Sequence, residues 1–127
     1  MAKYFFNLIL NYQKYFNVYY PPKKIKSAWY RFYFFIKPDI KNYKKLRYEI
    51  INNLKKNKIK CFTGSCPEIY LEKAFKDLKY FKYKRLINCK ILGETSIALD
   101  VNHTLSYSQH KHNVVKMNSV LEKLFKR

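Results

Sequence analysis

Lys60-Cys61-Phe62-Thr63-Gly64-Ser65-Cys66-Pro67-Glu68-Ile69-Tyr70-Leu71-Glu72-Lys73-Ala74-Phe75 is the most informative stretch of this 127-residue chain. Ile59 to Phe62 reads as a short strand, and Gly64 opens a turn. Ser65-Cys66-Pro67-Glu68 has the spacing of a capping box, in which the Ser65 hydroxyl and the Glu68 carboxylate each satisfy a free backbone N–H. Proline is tolerated in such a first turn, because its missing N–H would have no helical partner. The spacing predicts a helix to about Lys76 that buries Ile69, Ala74 and Phe75.

Upstream, Phe5, Leu8, Ile9, Tyr12, Tyr15 and Phe16 recur at helical spacing and predict a helix over 3–16. Pro21-Pro22 ends it, and Lys23 to Lys26 is a basic loop. Ala28 to Ile36 is dense in aromatics and predicts a strand with rings on both faces, hence covered on both sides. Pro38 closes the strand. Asp39 can then cap a helix through about Leu54, with Tyr43, Leu46, Ile50 and Leu54 as its apolar stripe and Asn57 as a left-handed C-cap. Downstream, a basic segment from Lys76 to Lys90 reads as helical in its later part. Thr95 to Val101 alternates as a half-buried strand. Ser106-x-x-Gln109 is a second capping box, opening a last helix with Val114, Met117, Leu121 and Leu124 at core spacing. The predicted order is α-β-α-β-α-α-β-α, with no internal repeat.

This length suits one domain with one modest core. Two glycines, Gly64 and Gly93, cannot build a Gly-rich phosphate cradle. The net charge of +19 points towards nucleic acid or an anionic surface. Against that, only four of the 27 basic residues are Arg, the side chain that forks onto phosphates and guanines. Abundant Lys, Asn, Ile, Tyr and Phe is the pattern an AT-rich genome would produce. Coding drift with a solvated basic face is therefore preferred to a nucleic-acid surface. Cys61, Cys66 and Cys89 are odd in number and lack zinc spacing, so reduced thiols in a cytoplasmic protein are expected. The apolar run at the N-terminus is too short to span a bilayer, and no small-residue cleavage site follows it. Glu68 and Glu72 could share a helix face for acid–base work, but capping and ion pairing explain them better. His110 and His112 read as solvated surface, and Cys61 and Cys66 lack a local base. No metal site and no catalytic residue is expected.

The 60–75 stretch resembles the small domain of DegT/StrS-type aminotransferases, which use pyridoxal phosphate and act on nucleotide-linked sugars. One family subgroup has Pro-Cys-Phe-Ser-Gly-Ser-Cys-Ser-Glu-Ile-Tyr-Leu-Glu-Lys-Ala-Phe there. Two further blocks match in the right order. Ala28-Trp29-Tyr30-Arg31-Phe32-Tyr33 resembles the strand entering the small domain. Leu92-Gly93-Glu94-Thr95-Ser96 with Thr104-Leu105 resembles the terminal strand and its turn into the last helix. The resemblance spans about residues 28–125. The departures are Asn102-His103 where the family usually has His-Pro, and Pro67 for a usual Ser.

The resemblance implies an α+β fold, the small domain of fold-type-I transferases, with a short, mostly antiparallel sheet and flanking helices. It implies one domain over 1–127, with an N-terminal helix and linker in 1–22 and the small domain in 23–127. The large cofactor-binding domain is expected to be absent, so the chain should bind no pyridoxal phosphate and be inactive alone. The implied partners are that large domain or a homodimer partner, with a nucleotide-sugar substrate in the intact enzyme. Thr63, Gly64, Ser65, Glu68 and Tyr70 are implied to lie near the substrate. An orphaned apolar surface is expected from Phe5, Leu8, Tyr12 and Phe16 and one face of Trp29 to Ile36. On this reading nucleic acid is bound only non-specifically. The alternatives are a small basic nucleic-acid-binding protein and a membrane-surface protein using the first helix, which lacks a strong basic face.

Overall fold

Alternation along the aromatic run sets the sheet. In β2 (Arg31–Ile36), Phe32, Phe34 and Ile36 are fully buried, while Arg31, Tyr33 and Phe35 are half-buried on the other face. The computed structural model describes residues 2–76 and 84–125. Its elements, in chain order, are α1 (Ala2–Leu10), β1 (Phe16–Val18), β2, α2 (Tyr43–Lys56), β3 (Cys61–Phe62), a 3-10 turn (Ile69–Leu71), α3 (Lys73–Lys76), α4 (Ile87–Thr95), β4 (Ser96–Asp100) and α5 (Tyr107–Phe125). The strands form one antiparallel sheet in the order β1-β2-β4-β3. The fold is the α+β arrangement expected from the sequence.

Register aligns the two faces. Phe16 pairs with Ile36, Phe34 with Ile97, and Phe32 with Leu99, which also pairs with Cys61. Those side chains form the core together with Phe5, Leu8 and Ile9 of α1, Ile50 and Leu54 of α2, and Met117 and Leu121 of α5. Each fully buried large apolar side chain contributes roughly 1.5–3 kcal/mol. Phe125 closes one corner, its ring 4.2 Å from Tyr15 and 5.4 Å from Phe16, centroid to centroid. The second face carries Tyr33 and Phe35 stacked at 6.5 Å, with Ser96 and Ala98 opposite them.

Several boundaries differ from the expectation, each for a local reason. The first helix stops at Leu10, not 16. Tight turns follow, with Tyr12 N–H donating to Ile9 O, and Phe16 to Val18 leave the helix to pair with β2. The apolar spacing of 12, 15 and 16 reflects a turn and an edge strand facing one core. Phe5, Leu8, Tyr12 and Phe16 are accordingly buried and form no orphaned surface. The aromatic strand starts at Arg31, not 28, because Trp29 adopts a left-handed backbone (φ 48°) that breaks the extended run. Its indole packs on Tyr20 and Phe32. Only one face of β2 is fully covered.

Asp39 caps no helix. It sits in a turn, and α2 begins after Asn42, which is left-handed (φ 59°) and makes no side-chain cap bond. At the other end the left-handed residue is Lys58 (φ 58°), one place beyond the expected Asn57. Lys58 N–H donates to Lys55 O, and Ile59 N–H to Leu54 O. That pair of bonds, with Ile59 and Leu54 both buried, is a left-handed C-cap with its hydrophobic contact. The second capping box stands as read: Ser106 N–H donates to Gln109 Oε1 at 2.7 Å and Gln109 N–H to Ser106 Oγ at 3.3 Å. Part of the Lys76 to Lys90 segment lies outside the described residues; the described portion is helical from Ile87. No described helix is long and apolar enough to cross a membrane.

Candidate functional site

The turn after β3 is anchored through one carbonyl. Thr63 O accepts the Arg47 Nη2 donor at 3.0 Å and the Ser96 hydroxyl at 2.5 Å. Arg47 Nε also donates to Ser96 O at 2.9 Å, so one guanidinium of α2 ties the turn to the start of β4. Burial pulls the Arg47 guanidinium below its ordinary pKa. Gly64 follows with φ +92°, a backbone few side chains adopt. A Cβ there would stand 3.0 Å from Ser96 Oγ and 3.4 Å from Tyr33 Cε1, so the turn lies directly on the second sheet face.

The expected capping box at Ser65–Glu68 does not form. Ser65 is exposed, and Glu68 precedes a 3-10 turn rather than a long helix. The Glu68 carboxylate faces outward to Arg85, accepting from Nε at 3.1 Å and Nη2 at 3.2 Å. It also accepts the Tyr70 hydroxyl at 2.9 Å. Arg85 first, and the Tyr70 hydroxyl after it, hold Glu68 below the usual carboxylate range, against partial desolvation. Tyr70 is buried, and its oxygen accepts Leu86 N–H at 2.9 Å. Ile69 and Ala74 are exposed and Phe75 is half-buried, so Tyr70 is the anchor of this segment, not those three. Two competing partners explain the failure of the box: Arg85 outbids a backbone N–H for Glu68, and Pro67 is held against α4. A Cβ on Gly93 would stand 2.0 Å from Pro67 Cγ, which shows how closely helix and ring approach.

Of the residues singled out from sequence, Thr63 and Gly64 share one anchor, and Glu68 and Tyr70 share another. Ser65 joins neither. Sequence reasoning missed Arg47, Arg85 and Ser96, which build both anchors. It also missed the role of Glu94, whose carboxylate accepts Lys44 Nζ and the Tyr43 hydroxyl, each at 2.7 Å. Lys44 first and Tyr43 second hold Glu94 below its ordinary pKa. Scarcity of arginine was the available signal: where Lys is the default, an Arg marks a position that needs a planar fork. Cys61 is buried, and desolvation raises its thiol pKa. Cys66 is exposed and donates to Glu72 Oε1 at 3.0 Å, which raises its thiol. Neither has the environment of a nucleophile. No group of described residues could hold a metal ion.

The described residues do not fit pyridoxal phosphate by themselves. Among the described residues Thr95, Ser96 and His110 are buried, the last bonded to the Asn102 carbonyl and not solvated as its sequence position suggested, and so are the hydroxyl-bearing Tyr12 and Tyr70, but no described lysine is buried where a Schiff base could be shielded. Glu68 and Glu94 are committed to arginine, lysine and tyrosine partners, leaving neither poised for a pyridine nitrogen.

Comparison with known proteins places the architecture. No family model matches the sequence, and no curated protein matches it significantly. Solved structures do match. An aminotransferase from Psychrobacter cryohalolentis superposes with TM-score 0.79 and 25% identity over 98% of this chain and 32% of that one. The aminotransferase TlmJ from Streptoalloteichus hindustanus gives TM-score 0.67 at 14% identity, over 97% of this chain and 32% of that one. The E. coli GDP-4-keto-6-deoxy-D-mannose-3-dehydratase, solved with bound hydrated PLP, gives 0.68 at 24% identity, over 94% and 28%. The chain thus has the α+β fold of one part of fold-type-I, pyridoxal-phosphate-type sugar enzymes. It spans about a third of the length of the solved chains it matches, consistent with their C-terminal small domain.

Proposed function

We propose that residues 1–127 are the small domain of a pyridoxal-phosphate-dependent aminotransferase acting on nucleotide-linked sugars in polysaccharide or cell-surface sugar synthesis. On this reading the chain is inactive alone. The cofactor-bearing domain comes from a separate polypeptide or from another part of a longer chain, and Thr63, Gly64, Ser65, Glu68 and Tyr70 border the substrate. The observation that carries the reading is the 98% coverage of this chain by one aminotransferase at TM-score 0.79. The geometry supports it in one respect. The two anchors fix both ends of the 63–70 turn and leave Ser65 and Cys66 exposed between them, a rigid loop tip able to meet a ligand.

The test combines turnover and location. The chain is incubated with pyridoxal phosphate and an amino donor, then titrated with nucleotide-sugars while backbone amide shifts are followed. Absence of transamination together with shifts centred on Thr63 to Tyr70 is the expected result. Turnover through one reactive lysine would overturn the fragment reading. Nucleotide-sugars that leave the 63–70 amides unmoved would overturn the substrate role.

A further inference from the structure

A cleft of about 270 Å³ opens at the far end of β3 and β4 from the Thr63 turn. Ser96 begins β4 beside Thr63 and Asp100 ends it beside Lys60, so the two places are about 13 Å apart along the strand. Three segments wall the cleft: Lys58 to Lys60 before β3, the end of β4 through Asn102, and Leu105 with the first turns of α5. Leu105, Gln109, His112 and Asn113 recur there at helical spacing and line one wall. The buried side chains Phe5, Ile59 and Leu99 make an apolar floor.

The polar groups in this cleft are biased towards donors. Gln109 Oε1 is already taken by Ser106 N–H, and Asn102 Oδ1 by the Thr104 N–H at 2.9 Å and hydroxyl at 2.8 Å. Both side-chain oxygens are spent on local caps, so each amide has its NH2 left to offer. The left-handed cap at Lys58 turns the chain so that Lys58 and Lys60 both border the space. Neither lysine has an acidic partner among the described residues. His112 and Asn113 add further donors. Asp100 is the carboxylate of the lining; strand alternation puts it on the face opposite Leu99, across from Arg31.

From this arrangement we propose that the cleft binds a small organic phosphate. The phosphoryl group sits among Lys58, Lys60, Gln109 and His112, and the carbon portion lies over Phe5, Ile59 and Leu99. Two lysine ammonium groups without an acidic partner among the described residues border the cleft, and the charge of about −1.5 to −2 that a phosphoryl group carries at neutral pH balances them better than the single charge of a carboxylate. The volume is near the low end of the roughly 300–1,000 Å³ of small-molecule sites, which suits a compact ligand. The inference is independent of the aminotransferase reading, because the cleft lies at the opposite end of β4 from the 63–70 turn.

The test uses the full chain at fixed ionic strength, with phenyl phosphate, inorganic phosphate and benzoate as probes and backbone amide shifts as readout. Phenyl phosphate should bind tightest and move Lys58 to Cys61, Asp100 to Leu105 and Gln109 to Asn113. His112→Leu with Asn113→Leu, which leaves the Ser106–Gln109 cap intact, should weaken it about ten-fold. Lys41→Ala, a surface lysine elsewhere, should change nothing. Shifts scattered over the lysine-rich surface, or an unaffected double variant, would overturn the site. Benzoate binding as tightly as phenyl phosphate would overturn the phosphate assignment.

Discussion

Replacing Gly93 by alanine separates propensity from packing. In an open helix the change should stabilise by about 1 kcal/mol, since alanine is the better helix former. Here the new Cβ would stand 2.0 Å from Pro67 Cγ and 2.5 Å from its Cβ. Carbon atoms rest at about 3.5–4.0 Å, so α4 and the loop must part by about 1.5 Å or more. A pyrrolidine ring cannot rotate aside as a flexible side chain can. Overpacking of this kind costs about 1–3 kcal/mol. Set against the propensity gain, Gly93→Ala should destabilise by about 1 kcal/mol and lower Tm by about 4 °C. Pro67→Gly removes the ring, and in that background the same alanine should stabilise by about 1 kcal/mol. The cycle therefore predicts a coupling of about 2 kcal/mol between the two positions, read from urea unfolding of all four proteins by circular dichroism. Gly93→Ala that raises the wild-type midpoint, or effects that simply add, would refute the contact as the reason for glycine at 93.

Two further outcomes follow from the electrostatics. Glu68 is held below its ordinary value of 4.5 by Arg85 first, so its folded pKa is depressed. Its stabilising contribution is complete above the ordinary carboxylate range and is lost as pH falls below 4.5 through the folded value. Glu68→Gln should flatten the acid limb of the stability profile, measured as urea midpoints from neutral to acidic pH; an unchanged limb would count against the Arg85 pairing. The net charge of +19 should give nucleic-acid binding that is weak, blind to sequence and lost at moderate salt, as followed by fluorescence anisotropy. Tight binding that survives elevated salt with a sequence preference would favour the nucleic-acid alternative.

The parts legible in sequence were those where one force dominates. The stripe of α5 and the Ser106–Gln109 box each answer to a single pattern, and each stands in the structure. The strand read over Thr95 to Val101 is present as β4, but it starts at Ser96, and Ser96 and Ala98 are buried as well as Ile97 and Leu99, so it is covered on both faces and not half-buried. Errors arose where two patterns share the same residues. Tyr12 and Phe16 fit a helix stripe, yet a turn and an edge strand bury them equally well. Ser65 and Glu68 have capping-box spacing, but Arg85, seventeen positions from Glu68, takes the carboxylate. A spacing rule sees local competitors only; a distant guanidinium is invisible to it. The 63–70 turn itself was legible, because a glycine followed by serine and proline has few other uses. Its anchors were not, because each joins residues at least 16 positions apart in the chain.

Arginine usage ties these observations together. Three of the four arginines lie among the described residues, and two of them, Arg47 and Arg85, use the paired donors of a fork that a lysine lacks. Arg47 spans two carbonyls at the Thr63 turn. Arg85 meets both oxygens of Glu68 with two donors. Arg31 lays its guanidinium over Phe62 at 4.6 Å and Tyr30 at 5.2 Å. All three border the second sheet face or the loop that covers it, and none supports the apolar core beneath. The forks of Arg47 and Arg85 hold geometry at the Thr63 turn and at Glu68, while the lysines carry most of the charge. The charge of the chain then says little about its partner, whereas the placement of its few arginines marks the loop whose shape is worth holding. That loop is the one proposed to meet substrate.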